Sequence, residues 1–246
     1  MNTEMGEHHH NHTEYKDYFM SQIPTALLLI STGCQHCPTM LKNLSELIEE
    51  GKISSLEIVN IAVSPERAEA LNVRTVPWLK LEEYELTGLK SKSELLEWID
   101  KAGSSEGQRL YFEELIGAGR ITEAQKIIEE KPWKMPALLA IIDSESTTLS
   151  LRIGVSAIIE QLAGSKQLIE NIDTLSEYCQ HELARVRNDA CYYLGLSRHA
   201  DAEEHIRPLL NDESDEVKET AKEALEEIKA YTNEALQSEG IYNITI

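Results

Sequence analysis

Apolar residues change their spacing several times along the first hundred positions. Ala26-Leu27-Leu28-Leu29-Ile30 is an unbroken apolar run of strand length, and it stops at Ser31-Thr32-Gly33. From 38 to 50 the apolar residues Met40, Leu41, Leu44, Leu47 and Ile48 recur at helical spacing. This predicts an amphipathic helix with one stripe on a core, ended by Gly51-Lys52. A second strand is expected over 56–63, followed by Ser64-Pro65 and a short helix ending near Leu71-Asn72-Val73. Trp78-Leu79-Lys80-Leu81 reads as a third strand, and Leu86-Thr87-Gly88 as the place where a hairpin turns. Leu95, Leu96, Trp98 and Ile99 predict a closing helix over 91–102.

Beyond Gly107 no period-two alternation remains, and the pattern is helical throughout. Residues 111–117 and 122–130 predict a helix pair around Gly119, and Pro132 and Pro136 interrupt the chain after it. A repeat then emerges. Leu151-Arg152, Val186-Arg187 and Val217-Lys218 are equivalent starts; Val155, Ala190 and Ala221 stand four residues on, and Ile159, Leu194 and Leu225 eight residues on. Self-similarity at this spacing is the mark of stacked helical units, none of which buries its apolar face alone. Acidic runs (Asp143-Ser144-Glu145, and Asn211 to Asp215) are expected to cap the helices that follow them. Arg187 and Lys218 are expected to bind between units rather than to hold a ligand. The small polar stretch 102–107 reads as a linker, giving three segments: a His-rich disordered tail at 1–12, an α/β domain at 13–103 and an α-helical repeat domain at 108–240. Residues 13–22 are expected to add a short helix packing Tyr15, Tyr18 and Phe19 on the sheet, and 241–246 a strand-like end.

Composition narrows the partners. The chain has 246 residues with 23 basic and 43 acidic side chains, a net charge of −20. That argues against nucleic acid and anionic membranes, both of which reward basic surfaces. No stretch is long enough to span a bilayer, and the first residues lack the basic-then-apolar order of a signal peptide. The expected location is a reducing cytoplasm, where a close cysteine pair is catalytic or sensing rather than structural. His8, His9, His10 and His12 form a tract that can bind transition metals or can simply be a polar tail.

The chemistry centres on Cys34-Gln35-His36-Cys37-Pro38. A strand that stops at a cysteine opening a helix puts that sulfur near unpaired N–H groups and a partial positive charge, which favour the thiolate. Cys37 stands one turn away, within reach of a disulfide. Pro38 suits a first helical turn. A zinc site would need two further ligands, and Cys179 and Cys191 are distant and not closely paired. Their expected role is core packing, with a regulatory disulfide as the alternative.

Taken together, the apolar strand, CxxC, amphipathic helix, second strand and Val76-Pro77 before Trp78 resemble a thioredoxin-fold domain from about Thr25 to Gly103. The resemblance implies that Pro77 is a cis-proline beside the cysteines and that Val76, Pro77 and Trp78 present the substrate chain. It also implies Cys34 as nucleophile, Cys37 as resolving thiol and His36 as a stabiliser of the thiolate. Three departures stand out. Gly33 replaces the tryptophan that usually precedes the first cysteine, Leu28 occupies the place of a buried acid, and Gln-His replaces the usual inner dipeptide. A histidine between the cysteines resembles disulfide isomerases and periplasmic oxidants. The units at 185–210 and 212–228 resemble short HEAT-like repeats through Asp-x-x-x-x-Val-Arg/Lys-x-x-Ala-x-x-x-Leu, and 136–162 is a poorer copy. HEAT-like solenoids mostly bind proteins.

The expectation is therefore a thiol–disulfide oxidoreductase acting on protein disulfides, with a HEAT-like solenoid that binds a client. It needs no cofactor and no metal, and it exchanges electrons with a thioredoxin-reductase-type or glutathione system. The competing expectation is a scaffold or redox sensor whose grip is switched by a Cys34–Cys37 disulfide.

Overall fold

The computed structural model describes residues 23–144 and 147–242. The His-rich tail, the expected helix at 13–22 and the last four residues lie outside the described residues. The chain divides into two compact units, the first ending at Gln108 and the second beginning at Arg109.

The first unit is a four-stranded mixed sheet. Its strands are β1 (Thr25–Ile30), β2 (Ser55–Asn60), β3 (Trp78–Leu81) and β4 (Tyr84–Thr87), in the order β2-β1-β3-β4. β1 runs parallel to β2 and antiparallel to β3, which pairs antiparallel with β4. Leu28 lies opposite Ile58 and Leu79, which sets the register of the three strands. Helix α1 (Cys37–Glu49) follows β1, α2 (Pro65–Ala70) follows β2, and α3 (Lys92–Asp100) follows β4. Met40, Leu44 and Leu47 of α1 and Leu95 of α3 are fully buried with Leu28, Leu79, Leu81 and Leu86 of the sheet. Each such side chain stabilises the unit by about 1.5–3 kcal/mol. Tyr84 and Trp98 stack at 5.1 Å between ring centroids. Lys92 at the start of α3 reaches Glu46 and Glu50 of α1 at 2.8 and 2.6 Å.

Two expectations for the sheet need correction. β2 ends at Asn60, not 63, because Asn60 Oδ1 accepts the Ala62 N–H and turns the chain. The hairpin turns at Glu82-Glu83, and Leu86 and Thr87 lie inside β4. Glu82 holds a left-handed backbone, φ 51°, and is braced by β1: its carboxylate accepts the Thr25 N–H at 2.6 Å while its own N–H donates to the Thr25 carbonyl. The stretch read as a linker also contains helix. Ser104 Oγ accepts the Gly107 N–H, and 105–107 form the first turn of α4 (Ser105–Gly117).

Among its described residues the second unit contains helices joined by turns and no strand. After α4 come α5 (Ile121–Glu130), α6 (Met135–Leu139), α7 (Leu149–Gln161), α8 (Lys166–Ile169), α9 (Ile172–Tyr178), α10 (Ala184–Leu196), α11 (Glu203–Ile206) and α12 (Asp215–Tyr242). α10 packs against both α7 and α12. Leu151, Val186 and Val217 are each the third residue of their helix, so the three equivalent starts occupy equivalent structural positions. The basic residue after the first two starts behaves as a joint. Arg152 grips both carboxylate oxygens of Asp189 at 2.7 Å, and Arg187 grips both of Asp212 at 2.7 Å while also donating to the carbonyls of His181 and Glu182. Lys218 instead binds Asp215 within its own first turn. Gly195 lets α10 and α12 approach closely, since a Cβ there would stand 2.7 Å from Ala224 Cβ. Thr148, not the acidic run before it, caps α7 by accepting the Leu151 N–H. Ile241 and Tyr242, expected as strand, continue α12, whose Glu-, Ala- and Lys-rich sequence favours helix.

Candidate active site at Cys34 and Cys37

β1, an inner strand, ends at Ile30, and a short turn carries the chain from there to the cysteines. Gly33 sits in that turn with φ 82°, a conformation that side chains disfavour, and Cys34 N–H donates back to the Ser31 carbonyl at 3.2 Å. Cys34 and Cys37 are joined as a disulfide with their Cα atoms 5.5 Å apart. The two sulfurs differ in access: Cys37 is 4 % exposed, whereas Cys34 is half-buried.

Helix α1 begins at Cys37 rather than Cys34. Gln35 and His36 form a bend, so Cys34 lies ahead of the helix with its side chain folded over the N-terminal end. The Cys37 N–H points at Cys34 Sγ across 3.1 Å, and the helix end adds its partial positive charge. A donor and a dipole aimed at one sulfur both favour its anionic form once the disulfide opens. Pro38 occupies the first turn of α1, where a missing N–H costs nothing.

His36 is exposed and forms the N-cap; its carbonyl accepts the Met40 N–H at 3.1 Å, while its side chain makes no capping hydrogen bond. Val76 and Pro77 are joined by a cis peptide bond, and the Val76 carbonyl oxygen lies 3.8 Å from Cys34 Sγ. The loop before β3 is thereby brought against the more accessible sulfur, with Arg74 and Thr75 exposed beside it. Trp78 is placed differently from what substrate contact requires. It is 3 % exposed, in register with Leu29 and Thr87, and its indole belongs to the core. Leu28, at 0 % exposure, leaves apolar packing in the strand where the resembling family carries an acid.

Sequence reasoning passed over Asn60. Its Nδ2 donates to Thr32 Oγ1 at 3.2 Å and its Oδ1 accepts the Ala62 N–H at 3.0 Å, tying the end of β2 to the turn before Cys34. The available signal was an amide residue directly after the aliphatic pair Ile58-Val59.

A thiol–disulfide couple with one accessible and one buried sulfur is suited to exchange with another disulfide. No curated protein matches the chain. Residues 25–100 match the family model for the thioredoxin domain, a span that runs from β1 to the end of α3; this part of the chain is a thioredoxin domain closed by a CxxC disulfide, an arrangement that points to thiol–disulfide redox function.

Proposed function

We propose that the protein is a thiol–disulfide oxidoreductase acting on protein disulfides, with the helical unit holding the client. The observation that carries this is the Cys37 N–H on Cys34 Sγ, at 3.1 Å, combined with the unequal access of the two sulfurs. In the reducing direction the Cys34 thiolate attacks a client disulfide. One S–S bond breaks as the Cys34–client bond forms, and the displaced client sulfur leaves as a thiolate that takes a proton. The Cys37 thiolate then attacks Cys34 Sγ, forming the intramolecular disulfide and releasing the second client sulfur. The client gains two electrons and the CxxC loses two; the oxidising direction is the same path reversed. A glutathione or reductase system of a reducing cytoplasm supplies or removes those electrons. The carbonyl and peptide plane of Val76–Pro77 align the client backbone beside Cys34, and His36, at the bend, assists the thiolate. The helical unit acts as a HEAT-like array, in support of which stand its equivalent helix starts and the joints at Arg152 and Arg187.

The test is a covalent trap. Cys37→Ser leaves Cys34 without its resolving thiol, so mixed disulfides accumulate. Expected are distinct partners released from Cys37→Ser only by reductant, and absent from Cys34→Ser. If both variants hold the same partners without a covalent bond, the oxidoreductase reading fails and the disulfide acts at most as a switch on binding.

A further inference from the structure

The side of the second unit formed by α7, α10 and α12 is bridged by contacts that fix which side chains share it. Tyr192 Oη donates to Glu160 Oε1 at 3.0 Å, joining α10 to α7, and Arg152 joins the same helices through Asp189. α12 packs along α10, and its Glu227 accepts from Arg198, just past the end of α10, at 2.8 Å, so α12 borders the same side. Leu149, Ile153 and Glu160 follow one stripe of α7, and Glu216, Glu223 and Glu227 one stripe of α12.

This side is apolar in one part and acidic in the other. Leu149 is 67 % exposed, Ile153 60 % and Tyr192 37 %, and Glu160, Glu216 and Glu223 are exposed. Its cations are already engaged. Arg152 is held by Asp189, Arg198 by Glu227 at 2.8 Å, and Arg185 donates to the Ile142 carbonyl at 2.7 Å. Exposed carboxylates on this side therefore outnumber its free cations. An occupant that completes the surface brings donors and aliphatic groups together, as a segment rich in lysine or arginine with interspersed leucine or valine does. A nucleic acid or an anionic lipid surface carries the same sign of charge as these carboxylates and is repelled.

We propose that this face docks a basic, aliphatic-bearing segment of a partner protein, its apolar side chains on Leu149, Ile153 and Tyr192 and its cations on Glu160, Glu216 and Glu223. The proposal rests on the reading that the helical unit holds a client, and it names the chemistry of what is held. It is independent of the direction of electron flow.

The probe is a short fluorescein-labelled peptide alternating lysine and leucine, read by fluorescence anisotropy on the full-length protein. Matched lysine–serine and glutamate–leucine peptides serve as controls. The lysine–leucine peptide is expected to bind at least about tenfold more tightly than either control, and less tightly at high salt. Ile153→Asp, and Glu216→Lys with Glu223→Lys, are each expected to weaken it about tenfold. Glu130→Lys with Glu177→Lys makes the same charge change at exposed sites elsewhere and is expected to stay within about twofold. Equal weakening by the two double charge swaps, or no effect of Ile153→Asp, overturns the docking face. Covalent trapping by Cys37→Ser is scored on the same preparations. Trapping without selective peptide binding removes the docking face and leaves the redox reading, and peptide binding without trapping does the reverse.

Discussion

Cys34 and Cys37 sit where a turn meets a helix end, one sulfur half-buried and served by a backbone N–H at 3.1 Å. Cys179 and Cys191 sit inside the second unit at 7 % and 0 % exposure, both as free thiols. Burial pushes each of these two thiols up to about 12. At neutral pH such a thiol is ionised to only about one part in a hundred thousand. The same residue type is thus presented for exchange in one unit and silenced in the other. Neither outcome needs a special neighbour. Backbone donors and a helix end favour the anion, and an apolar surround disfavours it.

The sharpest way to break this contrast is to move the loss of function from one pair to the other. Cys34→Ser is expected to lower turnover of a protein disulfide by about a thousandfold or more, while Cys179→Ala with Cys191→Ala leaves it within about twofold. Comparable losses in an insulin-reduction assay would mean that the buried pair takes part. Next in size are the joints of the helical unit. Arg187 and Asp212 have side chains only 9 % and 7 % exposed, so Arg187→Met strands a buried carboxylate and is expected to cost about 3 kcal/mol in urea denaturation. Lys166→Met, which removes a solvent-exposed pair with Glu170, should cost less than about 0.5 kcal/mol.

A third effect comes from the silenced thiols themselves. Their folded pKa lies above the ordinary value of 9.0, so between those limits the folded state keeps a proton that the unfolded state has lost. Stability therefore falls as pH rises above about 9, by about 1.4 kcal/mol per pH unit for each thiol. Cys191→Ala should flatten the slope by one thiol's share, as read from denaturation midpoints at successive alkaline pH values. A smaller change again is expected at Ser91, whose side chain forms a capping box with Glu94 at the start of α3. Ser91→Ala should lower stability by about 1 kcal/mol and leave disulfide turnover unaltered.

What could be read from the chain depended on whether the information was contiguous. Cys34, Cys37, Pro38 and the Val76-Pro77 pair are local signals, and the geometry brings them together. The helical stripes of α1 and α3 were legible for the same reason, because the partner face is generically apolar. The turn at Glu82-Glu83 was not legible: Gly88 is the better turn former, and what holds Glu82 in its left-handed conformation is Thr25, 57 residues away. Trp78 looked available because it follows the proline, yet β3 is covered on both faces, so Trp78 and its neighbour Leu79 are both buried. Binding between units could be predicted for Arg187, whereas Lys218, expected to do the same, pairs with Asp215 in its own first turn. The carboxylates that Arg152 and Arg187 grip could not be named, since Asp189 lies 37 residues beyond Arg152 and Asp212 lies 25 beyond Arg187.

Those separations share a direction, and synthesis feels it. Each arginine leaves the ribosome before the carboxylate that will neutralise it, so a growing chain always carries a cation awaiting an anion not yet made. A nascent chain that has passed Asp189 can seat Arg152, yet it holds Arg187 without its partner until Asp212 emerges. Completion of each segment of the helical unit is therefore deferred to the segment translated after it.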